Sequence, residues 1–112
     1  MKYIKKAIKL SPSPRAEYFI ALGDAQFDEG KNEDPMGMES GFYMAAKGSY
    51  NHAADMTDVK NDKGKAYYKL GLLHLFLNEK QHAKEAFESA LQFAESEPLI
   101  SRIRSKMESM EH

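Results

Sequence analysis

Two stretches of this chain repeat one arrangement of small and large residues, and that repetition constrains the fold more than any single motif. Tyr67-x-x-Leu70-Gly71-x-x-His74 is followed by Ala83-x-x-x-Phe87-x-x-Ala90. Earlier, Phe19-x-x-Leu22-Gly23 is followed by Ala46-x-x-x-Tyr50-x-x-Ala53. The spacings are helical, and two helices approach closely only where one presents a small side chain. Gly71 with Ala83, and Gly23 with Ala46, therefore mark the expected crossings of two helical hairpins. A mid-helix Gly is unfavourable by about 1 kcal/mol relative to Ala, so a Leu-Gly pair in the same place twice points to packing.

Breakers at 11–14, 30–41 and 61–64, near Asn78, and at Glu97 and Pro98 divide the remainder. They predict six helices, over about 2–10, 15–29, 40–56, 65–77, 80–95 and 98–110, and no strands. The expected fold class is all-α, an array of helical hairpins in one domain. The helix at 65–77 is unusual in being apolar on nearly every side: Tyr67, Leu70, Leu73 and Leu77 can face one core, which leaves Tyr68, Leu72, Leu75 and Phe76 pointing elsewhere.

The repeated pattern resembles the tetratricopeptide repeat, whose signature is an aromatic, Leu-Gly and a second large residue on the first helix, then Ala-x-x-x-aromatic-x-x-Ala on the second. Sel1-like repeats, which also enlarge the turn inside the hairpin, are the second candidate. The resemblance implies a half repeat at 1–14, a first full repeat at 15–60, a second at 64–97 and a capping helix at 98–112. Tyr3, Ile4, Ala7 and Ile8 supply the apolar positions of the half repeat. Leu99, Ile100, Ile103, Met107 and Met110 supply those of the cap. His74 and Gln26 depart from the pattern, as does Pro98, a few residues late. The Gly23 to Ala46 spacing is 23 against 12 for Gly71 to Ala83, so the first full repeat holds 11 extra residues. Pro35, Gly37 and Gly41 in that segment predict a protruding loop over about 31–41 rather than two lengthened helices.

In tetratricopeptide proteins the first helices line a concave surface that receives a partner. The resemblance carries that role to Glu17, Ile20, Asp24 and Phe27 in the first repeat and to Lys65, Tyr68, Leu72 and Leu75 in the second. Some members hold acidic chaperone termini with Lys, Asn and Arg at such places. Ile20, Asp24, Tyr68 and Leu72 do not reproduce that clamp, so the expected partner is a protein or peptide with an apolar segment. The alternatives are that the N-terminal half repeat or the cap folds over this face, or that the face serves an assembly role in a homodimer.

Composition narrows the rest. The net charge of −1 offers no general field for a phosphate backbone, so nucleic acid is not an expected partner. Lys2, Lys5, Lys6 and Lys9 read as one solvated helix face. Cys is absent, which removes disulfides and thiolate chemistry. Neither a signal-peptide core nor a membrane-length apolar run occurs, and the expected location is cytoplasmic. No HExxH, GxSxG, Walker or GxGxxG motif is present. No histidine pair has the i, i+4 spacing of a metal grip, and His74 reads as a polar core or groove histidine. Asp55, Asp58 and Asp62 lack the Gly and terminal Glu of a calcium loop. The expectation is a noncatalytic module without cofactor or metal.

Overall fold

The computed structural model describes residues 14–33 and 41–110. Five helices follow in order: α1 Pro14–Glu33, α2 Gly41–Met56, α3 Lys60–Phe76, α4 Lys80–Phe93 and α5 Glu97–Met110. The chain is all-α over these residues, with α1/α2 and α3/α4 as antiparallel hairpins and α5 laid on the second. The predicted helix at 2–10 and the apolar positions of the half repeat lie outside the described residues.

The apolar all-round character of α3 has a structural cause. One side sends Ala66, Leu70 and Leu73 into a core with Ala16 and Ile20 of α1 and Tyr43, Ala46, Tyr50 and Ala53 of α2. The other side sends Tyr68, with Leu72 and Leu75 packed around it, into a second core with Ala83, Phe87 and Ala90 of α4 and Leu99 and Ile103 of α5. A helix between two packed layers has no water-facing half, so amphipathicity is lost. The layer that covers the second side is α5, whose Leu99, Ile103, Met107 and Met110 form one stripe while Ser101, Arg104, Ser105 and Glu108 face water.

Each hairpin crosses on glycine. A Cβ at Gly71 would lie 2.6 Å from the Phe87 ring, and Gly23 meets the Tyr50 ring in the same way. The first hairpin adds a second such contact, since a Cβ at Gly30 would lie 2.7 Å from the ring of Tyr43. Gly30 and Tyr43 are seven residues along α1 and seven back along α2 from the first pair, two helical turns further in register. This corrects the expected loop. Gly23 and Tyr50 are 27 positions apart and Gly71 and Phe87 are 16, which leaves 11 extra residues. Five of them lengthen α1 and two lengthen α2, and only four fall in the connection 34–40, outside the described residues. Gly30 does not end the helix, because its missing side chain is filled by a ring.

The reading of 61–64 as a breaker is corrected for a similar reason. α3 begins at Lys60, and Gly64 is buried where α4 ends: a Cβ there would lie 2.8 Å from the Ala94 backbone nitrogen. Asn61 is also put to use, its Oδ1 accepting the Glu95 and Ser96 N–H groups at 2.8 and 2.9 Å. The turn after α3 is a Schellman motif, with Glu79 N–H donating to His74 O at 2.8 Å and Asn78 N–H to Leu75 O at 3.1 Å. It places Asn78 at φ 63°, a left-handed conformation that Asn tolerates.

Candidate functional site

α1, α3 and α5 lie side by side, and two clefts open between them. The first, about 340 Å³, lies between α1 and α3 and is lined by Asp24, Phe27 and Lys31 of α1 and Lys69 and Leu72 of α3, with Tyr50 behind them. The second, about 580 Å³, lies between α3 and α5, with Tyr68, Leu72 and Leu99 beside Lys65, Lys69 and Arg102. Lys69 and Leu72 belong to both. The clefts therefore adjoin along one turn of α3.

Asp24 is the polar hub of the first cleft. The buried Tyr50 hydroxyl donates to its Oδ1, and Lys69 Nζ stands 3.4 Å from its Oδ2, so one carboxylate ties α1 to both α2 and α3. Burial, and then Asp24 itself, push the Tyr50 phenol far above its usual range and keep it a donor. Beside it the Ser49 hydroxyl donates to Gln26 Oε1 at 2.6 Å. Gln26, a departure from the repeat pattern, thus makes a polar tie between α1 and α2.

The expected site residues divide into three groups. Asp24, Phe27, Lys65, Tyr68 and Leu72 are brought together along the two clefts. Glu17 is exposed on the first turn of α1, where its charge acts on Asp62. Ile20 and Tyr68 point inward, which corrects their expected place on an open groove. Tyr68 lies in the second core at 9% exposure although it borders the α3–α5 cleft, and Leu75 is partly buried. Ile20 is 3% exposed in the core with Ala46 and Tyr50, and Leu75 packs in the cluster that holds Met107 and Met110. Lys69 and Arg102 were not singled out from sequence. Lys69 stands four residues after Lys65 and so shares its face, a signal available from spacing. Arg102 belongs to the helix read only as a cap.

His74 faces the turn rather than the clefts. Its Nδ1 is 2.7 Å from Glu79 Oε1, which Lys47 of α2 also approaches at 3.0 Å, and its ring lies 5.3 Å from that of His82 on α4. Burial lowers the His74 pKa below 6.5 against the pull of Glu79. The native state thus resists its protonation, and the stability this group contributes is complete above 6.5 and declines as pH falls below that value. Urea titrations across this range should show wild-type stability falling with acid, and His74→Gln should flatten the fall. Among the described residues no group of three or more His, Cys, Asp or Glu is placed to hold a metal.

This architecture defines a helical-hairpin repeat protein. Residues 64–97, which comprise α3, α4 and the start of α5, match the model of the tetratricopeptide repeat family, and the chain carries a tetratricopeptide repeat there. No curated protein and no solved structure matches it. Repeats of this family generally mediate protein–protein interaction. No described helix is long and apolar enough to cross a membrane.

Proposed function

We propose that the chain is a noncatalytic interaction module whose α1–α3–α5 face binds a segment of a partner protein. The observation that carries this reading is the pair of clefts meeting at Leu72. Phe27 lines one cleft, Leu72 borders both, and the largely buried Tyr68 and Leu99 form the floor of the other, so a partner lying across them touches both hairpins and α5. Of the residues inferred from the repeat pattern, Asp24, Phe27, Lys65, Tyr68 and Leu72 carry the contact, with Glu17 at its edge and Ile20 and Leu75 supporting it from beneath. Self-association through the same face has less to draw on, because α5 already packs against the second side of α3. The reading needs no cofactor and is compatible with a cytoplasmic setting.

Leu72→Asp is the test. The substitution places a carboxylate between the two clefts and should reduce recovery of the partner in affinity capture with mass spectrometry by about tenfold or more, the effect of opposing a charge to an apolar side chain. Circular dichroism should show helical content retained. Unchanged recovery by a folded variant refutes the assignment of this face.

A further inference from the structure

Gly23 and Gly71 hold the same place in α1 and α3, each under a ring of the following helix, at an offset of 48 residues. That offset matches Tyr18, Leu22 and Ala25 of α1 with Ala66, Leu70 and Leu73 of α3. On α3 this side is closed: the three are 0%, 7% and 0% exposed in the core shared with the first hairpin. On α1 it is open. Tyr18 is 62% exposed, Ala25 is exposed, and Leu22 is only partly buried and joins neither core. An apolar stripe at i, i+4, i+7 is a surface made to be packed against. The cover that α3 receives is α2, which places Tyr50, Ala53 and Ala54 in the core beside it and reaches it through three residues, 57–59.

The sequence before α1 has matching features. On a 3.6-residue period Tyr3, Ile4, Ala7, Ile8 and Leu10 fall on one side, and Lys2, Lys5, Lys6 and Lys9 on the other. Leu10 stands three residues before α1 begins at Pro14. Connections of equal length pair Ile4, Ala7 and Ile8 with Tyr50, Ala53 and Ala54. We propose that residues 1–13 lie back along α1 and cover its Tyr18, Leu22 and Ala25 stripe with Ile4, Ala7 and Ile8, the lysines facing water. A second copy of the chain competes poorly for this stripe, because a short tether holds the chain's own segment there at an effective concentration on the order of millimolar. The stripe lies across α1 from Asp24, which meets Lys69 of α3, so the clefts stay open to a partner. The proposal is therefore independent of the binding face.

The chain has no cysteine, so Lys5→Cys, on the water-facing side of the segment, takes a single nitroxide spin label in the full chain. In amide NMR spectra the label should broaden residues 18–25 of α1 more than residues 65–72 of α3, and adding Ile4→Asp should abolish that difference. A mixture of spin-labelled chain without isotope and isotope-labelled chain without the spin label should show no broadening. Ile4→Asp and Ile8→Asp should each lower the urea midpoint of unfolding, and Lys5→Glu should leave it in place. Broadening between chains in the mixture would make a second copy the occupant and overturn the proposal. Equal broadening of 18–25 and 65–72 would take the segment off the stripe, and midpoints unmoved by both Asp variants would show that it buries nothing there; either result also overturns it.

Discussion

Phe87→Ala should lower the free energy of unfolding by about 3–5 kcal/mol, the range for emptying a fully buried aromatic site, and so remove a large part of the 5–15 kcal/mol typical of a domain. Phe87 is fully buried, its ring lying against Gly71 and 6.0 Å from that of Tyr68. More diagnostic is what the substitution does to its neighbour. In wild type, Gly71→Ala sets a Cβ 2.6 Å from the Phe87 ring, and the ring, buried on all sides, cannot swing away. Overpacking of this kind costs roughly 1–3 kcal/mol, set against about 1 kcal/mol gained in helix propensity, so the net effect is destabilising. In the Phe87→Ala background the ring atoms nearest that Cβ are gone and the propensity gain should prevail, so Gly71→Ala should stabilise by up to about 1 kcal/mol. The sign should invert. Urea midpoints of the four proteins read the coupling directly, and equal effects of Gly71→Ala in both backgrounds would show that Phe87 is not what requires glycine there.

The same physics explains which parts of the fold were legible in the sequence. Gly23 with Tyr50 and Gly71 with Phe87 could be read because the small and large residues recur at matching offsets, and the all-α hairpin class follows from them. Gly30 and Gly64 could not. A glycine inside a helix and a glycine ending one have the same composition around them, and the difference lies in whether a ring or a neighbouring backbone arrives from elsewhere in the chain. Tyr43 and Ala94 arrive from 13 and 30 residues away. Among site residues, Leu72, Tyr68 and Phe27 follow from their offsets to the Leu-Gly pairs. The offset that Ile20 shares with Tyr68 carries both inward, Ile20 against Ala46 and Tyr50 and Tyr68 against Ala83 and Phe87, because a third layer of helix covers each. Arg102 belongs to the site only because α5 lies beside α3, a tertiary fact that no local pattern encodes.

Asp62 carries the other large expectation, in the opposite direction. Its side chain sits in the first turn of α3, where a carboxylate normally gains about 0.3–1 kcal/mol from the helix dipole. Here it is only 8% exposed, and its Oδ2 is buried with no hydrogen-bond partner. An unsatisfied buried group costs about 1–3 kcal/mol, more than the dipole returns. Burial first, and then the charge of Glu17, raise the Asp62 pKa above 3.8, with Lys65 opposing them. The sign follows. Below 3.8 the carboxyl is protonated in both states and native stability is unpenalised; as pH rises through the raised native value, the folded state must ionise a buried group and stability is lost. Asp62→Asn retains the shape without the charge. At neutral pH it should unfold at higher urea than wild type, because the amide is spared the cost of burying a charge, and the two stability curves should converge as the solution is acidified toward 3.8. The two groups act with opposite sign, the Asp62 penalty growing as pH rises from 3.8 and the His74 penalty growing as pH falls from 6.5, so Asp62→Asn and His74→Gln should tilt the pH profile in opposite directions. Parallel curves for wild type and Asp62→Asn, or a less stable variant at neutral pH, would mean that the carboxylate is satisfied in solution and that its position at the start of α3 stabilises the hairpin.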